Sequence, residues 1–174
     1  GKVALVSGGA SGIGAETARL FAEHGAAVVV SDVNDEAGEA VARGIVDAGG
    51  AAFYRHLDTT DEAAWQGVVA ATLERFDSLT VVANIAGITD RPPGGTGVMT
   101  IETSTVETWN AVMAVNMTGV FLGTKHAVAP MRAAGGGSII NISSIYGIVG
   151  SPQGAAYHAS KGAVRTFTKA AAMQ

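Results

Sequence analysis

The 174-residue chain predicts an α/β fold, a doubly wound parallel sheet with helices on both faces. Three observations carry that prediction. Short β-branched runs alternate with longer helical patterns along the chain; a glycine-rich turn joins the first run to the first helical pattern; and several polar residues fall at the carboxyl ends of the runs, where such sheets gather their ligands. Crossovers between parallel strands then take the usual right hand.

The first strand, residues 3 to 7, contains Val3-Ala4-Leu5-Val6, an apolar run suited to burial on both faces. It leads directly into Ser7-Gly8-Gly9-Ala10-Ser11-Gly12-Ile13-Gly14 and a helix over 12 to 24. Glycines there allow a tight turn and the close approach of a pyrophosphate, to which the helix offers free N–H groups and its positive end. The spacing is G-x-x-x-G-x-G, distinct from the G-x-G-x-x-G of the ordinary dinucleotide fingerprint. After a stop at His24-Gly25, the second strand, 26 to 31, ends on Asp32, eighteen residues beyond Gly14. At that place in a Rossmann-type sheet, the fold class expected here, a carboxylate can accept hydrogen bonds from adenosine ribose hydroxyls and repel a 2′-phosphate, which favours NAD over NADP. Ala10, Ser11, Ser31 and Val33 offer no arginine or lysine for such a phosphate, in agreement with NAD.

The second helix is expected over 34 to 48, stopped by Gly49 and Gly50; a third strand follows over 51 to 56. Thr60 and Asp61 can cap a third helix over 61 to 75, ahead of a fourth strand at 79 to 83. Residues 88 to 104, with Arg91, two prolines and several glycines, form a long loop. It either frames the substrate pocket or makes a surface excursion. A long helix over 105 to 134 breaks near Asn116, a fifth strand covers 137 to 143, and a last helix runs from 155 onward. No internal repeat or change of composition divides the chain, so residues 1–174 are expected to form a single domain.

That last helix carries Tyr157-His158-Ala159-Ser160-Lys161, which sets a phenol and an ammonium one turn apart on one face. Free tyrosine titrates near pH ~10, and a fixed neighbouring cation favours the phenolate. A phenol tuned in this way can give a proton to a carbonyl oxygen or take one back. Alone, Y-x-x-x-K is most simply a solvated pair on an amphipathic helix. Here it shares a chain with a nucleotide-binding turn.

Composition excludes several classes. A net charge of −4 with scattered basic residues leaves no footprint for nucleic acid. With no cysteine, and with histidines at 24, 56, 126 and 158 that lack ligand spacing, neither a disulfide framework nor a metal site is expected. No apolar run approaches the length of a membrane span, which makes the cytoplasm the default compartment.

Together these residues resemble the classical short-chain dehydrogenase/reductase family. The landmarks follow in order through the chain: the glycine turn, Asp58 in Leu57-Asp58-Thr59, Asn84-Ile85-Ala86-Gly87, Asn116 in Val115-Asn116-Met117-Thr118-Gly119, Ser144 in Asn141-Ile142-Ser143-Ser144, and Tyr157 with Lys161. Ser7 stands where threonine is commoner and Ile85 replaces a second asparagine; the first keeps a hydroxyl and the second a backbone. The resemblance implies a catalytic set of Asn116, Ser144, Tyr157 and Lys161. Tyr157 would be the general acid or base, Ser144 would hydrogen-bond the substrate oxygen, Lys161 would bind the nicotinamide ribose and lower the Tyr157 pKa, and Asn116 would hold an ordered water. The implied cofactor set is Gly8, Ser11, Gly12, Ile13, Gly14, Asp32, Val33, Asp58, Asn84, Ala86 and Gly87 with Tyr157 and Lys161. Four of these have a second reading: Asp32 could be a helix cap or loop carboxylate, Asp58 could cap the third helix, Asn116 the helix that follows it, and Ser144 could be a strand-end serine satisfying a backbone group.

The activity implied is NAD-dependent interconversion of a secondary alcohol and a ketone. A non-catalytic nucleotide-binding module is the alternative, and a nucleotide-sugar epimerase or dehydratase is a third reading disfavoured by the glycine spacing. Residues 146 to 153, Tyr146 through Gln153, are expected to line the substrate pocket, with one aromatic among small and aliphatic side chains. They suit a cyclic, aromatic or steroidal alcohol of modest size. Family members continue beyond the Tyr157 helix with further strands and a substrate-covering loop, so a fragment of a longer enzyme is expected. A homo-oligomer, a tetramer or dimer, is also implied, with Phe121, Ala127, Val128, Ala163, Phe167 and Ala170 as candidates for an apolar seam, core packing being the alternative for many of them.

Overall fold

The computed structural model describes residues 1–90, 99–152 and 154–174; residues 91–98 of the predicted loop, Arg91 among them, and Gln153 of the predicted pocket lining, lie outside the described residues. The strands are β1 (Val3–Ser7), β2 (Ala27–Asp32), β3 (Ala52–His56), β4 (Val81–Asn84) and β5 (Ser138–Asn141). All pairs are parallel, in the order β3-β2-β1-β4-β5. The helices are α1 (Gly12–Glu23), α2 (Asp35–Asp47), α3 (Glu62–Phe76), α4 (Val106–Met113), α5 (Gly119–Ala133) and α6 (Ala155–Ala171).

Register explains the two-sided core. Leu5 stands level with Val29 and Val82, and these pack with Trp65, Val68, Leu122 and Met131 beneath α3 and α5. One residue on, Val6 stands level with Val30 and Ala83 and meets Ala15, Ala18, Val41 and Ile45 of α1 and α2. Successive strand side chains alternate between faces, so a sheet covered on both sides is apolar along its strands, as β1 is from Val3 to Val6 and β2 from Ala27 to Val30. Trp65, wholly buried, also satisfies its indole N–H on the Thr59 carbonyl at 3.0 Å.

Helix ends follow local chemistry. Asn34 caps α2 through Ala37 N–H, Asp61 caps α3 through Ala63 N–H, and Thr105 caps α4 through Thr108 N–H. Gly25 and Gly49 adopt φ of 82° and 86° just beyond α1 and α2. The predicted break near Asn116 is a π turn, Ala114–Thr118, between α4 and α5. The fifth strand is shorter than the predicted 137 to 143 and ends at Asn141, because the next carbonyl, that of Ile142, accepts from the Lys161 ammonium. The fourth strand starts two residues later than expected, and Leu79 is a buried core residue ahead of it. Ala127 also belongs to the core and not to an exposed seam. No helix among the described residues is long and apolar enough to cross a membrane.

Candidate active site

The turn after β1 has the shape the glycines permit. Gly8 and Gly12 take φ of 70° and 50°, in the left-handed region. A Cβ on Gly14 would collide with the Gly8 carbonyl, and one on Gly8 would lie 2.7 Å from the Ala86 backbone. Ser7 Oγ accepts from Ile85 N–H at 3.2 Å, which ties this turn to the segment leaving β4. Ser11 precedes α1 in extended conformation without a side-chain cap bond, and the first helical bond runs from Ala15 N–H to its carbonyl. The N–H groups of the first turn therefore have no helical acceptor.

They border a cavity of about 440 Å³. Ten predicted cofactor residues line it: Gly8, Ser11, Gly12, Ile13, Gly14, Asp32, Val33, Asp58, Ala86 and Gly87. Leu57, Thr59, Ile85, Ile88 and Val115 complete the wall, mostly apolar positions that flank the motif residues and had been given no cofactor role. Asn84 does not join them. It is buried and its amide donates to Asn141 Oδ1 at 2.8 Å, so it fastens β4 to β5 beneath the cavity.

Asp32 is held from two sides, its carboxylate accepting from Ala10 N–H at 3.1 Å and Asn34 N–H at 3.0 Å. The Tyr54 hydroxyl donates to Asp35 Oδ1 at 2.7 Å, the oxygen that His56 Nδ1 also reaches at 2.7 Å, and lies 2.6 Å from the Asp32 carbonyl oxygen as the alternative acceptor for its one proton. Those bonds, first from Tyr54 and then from His56, hold the Asp35 carboxyl below its usual range. Burial, with the Asp35 carboxylate next, pushes the Tyr54 phenol above its ordinary value. Asp58 accepts from Thr60 N–H and Oγ1–H at 2.9 and 2.8 Å, the backbone bond first in lowering its pKa. It shapes the turn ahead of α3, and Asp61 is the cap.

At the other end of the site, α6 directs Lys161 and Tyr157 to one side, with the ammonium 5.8 Å from the phenol ring centroid. Lys161 is 4 % exposed, its Nζ donates to the Ile142 carbonyl at 2.7 Å, and burial pushes its pKa below 10.5. Asn116 is fully buried in the π turn, where its amide accepts from Ile88 N–H at 2.8 Å and donates to the Ile88 carbonyl and Ser160 Oγ at 2.9 and 3.0 Å. It caps no helix. Ser160 in turn donates to the Tyr157 carbonyl at 2.8 Å. Gly87 links cavity and catalytic set, since a Cβ there would lie 3.3 Å from Asn116 Oδ1 and 3.5 Å from Lys161 Nζ.

Ser144 lies beyond β5, not within it, and caps a 3₁₀ turn, Ile145–Gly147, by accepting from Tyr146 N–H at 3.2 Å. That turn seats Tyr146 edge-on against Tyr157, centroids 6.4 Å apart, and stacks it on His158 at 4.8 Å. Ile148 and Val149 then stand exposed beside this aromatic group. Ser160 and the buried Asp90 are neighbours that the motifs had not singled out; the hydroxyl within Y-x-x-S-K was a usable signal for the first.

Comparison with known proteins gives the same neighbourhood. The chain is 47% identical over 174 residues to a 2,5-dichloro-2,5-cyclohexadiene-1,4-diol dehydrogenase of Sphingobium indicum, covering 100% of this chain and 67% of that protein. It is 45% identical over 172 residues to a cyclopentanol dehydrogenase of Comamonas testosteroni, covering 99% and 66%. It is 46% identical over 174 residues to a 3-alpha-(or 20-beta)-hydroxysteroid dehydrogenase of Mycobacterium tuberculosis, covering 100% and 63%. The chain thus spans about two thirds of the length of these relatives. The sequence model described as short chain dehydrogenase matches residues 2–174, and with it the chain belongs to the short-chain dehydrogenase family.

Proposed function

We propose that the protein, whole, is an NAD-dependent oxidoreductase that interconverts a secondary alcohol on a ring with the corresponding ketone. The observation that carries the reading is the placement of the Lys161 ammonium 5.8 Å from the Tyr157 ring and next to Gly87, which lines the glycine-turn cavity. The residues present fit a dinucleotide. The side-chain-free approach at Gly8 and Gly14 and the free N–H groups at the start of α1 suit a pyrophosphate, and the fixed Asp32 carboxylate retains lone pairs for ribose hydroxyls. A bound nicotinamide supplies the hydride acceptor or donor.

The protein's own part is proton transfer and charge. Tyr157, as the phenolate, takes the proton of the alcohol hydroxyl and becomes the neutral phenol, and the nearby Lys161 cation stabilises the negative charge the oxygen carries before it does so. Ser144 hydrogen-bonds the same substrate oxygen. Lys161 has one N–H spent on Ile142, which leaves two for ribose hydroxyls. Both amide N–H groups of Asn116 are committed to Ile88 and Ser160, so a water linked to this residue would meet oxygen acceptors only.

The names of the three relatives all specify a hydroxyl on a cyclic compound, a ring hydroxyl in the first two and a 3-alpha or 20-beta steroid hydroxyl in the third, which supports the substrate class. Self-association across the faces of α5 and α6 belongs to the same reading, with Phe121 and Phe167 in edge contact at 6.2 Å and Phe121 and Val128 exposed. Light scattering that gives the mass of one chain would remove it. The activity is tested by reduced-nicotinamide absorbance with cyclopentanol, cyclohexanol and a hydroxysteroid, NAD and NADP side by side. We expect turnover with NAD and a loss of about 100-fold or more in Tyr157→Phe. Nucleotide binding without turnover on any alcohol would instead make the protein a binding module.

A further inference from the structure

We propose that Asp90 is a positioning residue for Tyr157, a buried clamp on the first turn of α6; the inference rests on the oxidoreductase reading above. Asp90 is 4 % exposed, and its Oδ2 accepts from Ala156 N–H at 3.2 Å across 66 residues of sequence. Ala156 adjoins Tyr157. The residue at the helix start, Gly154, makes no side-chain cap bond of its own, so a carboxylate from elsewhere in the fold takes that place. Gly154 also makes the seat. The three atoms nearest to a Cβ there would all be carboxyl atoms of Asp90, so any other residue at 154 would displace the clamp. A negative charge beside the positive end of a helix dipole reinforces the bond.

The segment that carries Asp90 gives the contact its consequence. Between β4 and Asp90 the chain is fastened at Ile85, whose N–H meets Ser7 Oγ, and at Ile88, whose N–H and carbonyl both meet the Asn116 amide. Ile85, Ala86, Gly87 and Ile88 form part of the cavity wall. Asp90 thus joins the wall of the nucleotide cavity to the first turn of the helix that presents Tyr157. The phenol is held at a set place relative to the cofactor and not merely on a stable helix.

The test compares wild type with Asp90→Ala and Asp90→Asn, the second keeping an oxygen acceptor in the same seat. Displacing the phenol should cost Asp90→Ala about tenfold or more in kcat, with the NADH dissociation constant within about twofold of wild type. Asp90→Asn should recover kcat to within about threefold of wild type, since a neutral oxygen still caps the turn. Amide exchange at Ala156 should speed up in Asp90→Ala, a readout that needs no turnover. Unchanged kcat in Asp90→Ala, a fall in NADH affinity in step with kcat, or unchanged Ala156 exchange would each overturn the clamp. If wild type itself oxidises no alcohol, the oxidoreductase reading fails, and the exchange measurement still decides whether the clamp exists.

Discussion

Asn116 uses its amide three times inside the protein, twice on one residue, Ile88, and once on Ser160. Asn116→Ala leaves three polar groups, the Ile88 N–H and carbonyl and the Ser160 hydroxyl, each short of a partner in a buried or part-buried setting. At about 1–3 kcal/mol for a buried unsatisfied group, we expect a loss of about 2–4 kcal/mol, read from denaturant midpoints. Lys161 gives a pH signature. Its pKa is depressed in the folded state by burial, so between that value and 10.5 the unfolded chain holds more protons at this site. Wild-type stability relative to Lys161→Met should therefore rise as pH climbs through that window and level off above 10.5, in denaturant titrations at stepped pH. Tyr157, Lys161 and Asp32 were legible in the sequence because local rules govern them: helix spacing for the pair, strand-then-turn order for the carboxylate. Asn84, Asp90 and Tyr54 were not, since their partners lie 57, 66 and 22 residues away and no local periodicity encodes them.

Among the elements, boundaries were legible where a cap or glycine marks them and less so where a side chain from afar decides. Asp61 and Gly49 mark theirs; β5 stops where Lys161 takes the Ile142 carbonyl. Packing between elements is tested at glycines. In α5, Gly123 lies so close to β4 and α3 that a Cβ would collide with Asn84 Oδ1 and sit 2.7 Å from the Trp65 ring. Gly123→Ala should cost about 1–3 kcal/mol by overpacking. Each kcal/mol lowers the melting temperature of a protein of this size by about 2–4 °C. Gly44, inside α2 with nothing within 4 Å of its would-be Cβ, is the counterpart, and Gly44→Ala should gain about 0.5–1 kcal/mol. Thermal melts of the two variants should move in opposite directions.

At the scale of the whole molecule, the strand order was not written in any one segment. Alternation of strand and helix implied a parallel sheet, but placing β4 beside β1 and β3 at an edge requires crossovers in both directions. Since β1 is paired on both sides and fully buried, its amides should exchange last, and those of the edge strand β3 earlier. The cavity lies across the seam between β1 and β4, with walls from residues 8–14 on one side and 85–88 on the other. A compound seated there grips two halves of the sheet that unfolding must separate, and at 100 times its dissociation constant it adds about 2.7 kcal/mol to stability. Libraries of adenosine analogues can therefore be ranked by how far each raises the melting point, before any alcohol has been identified.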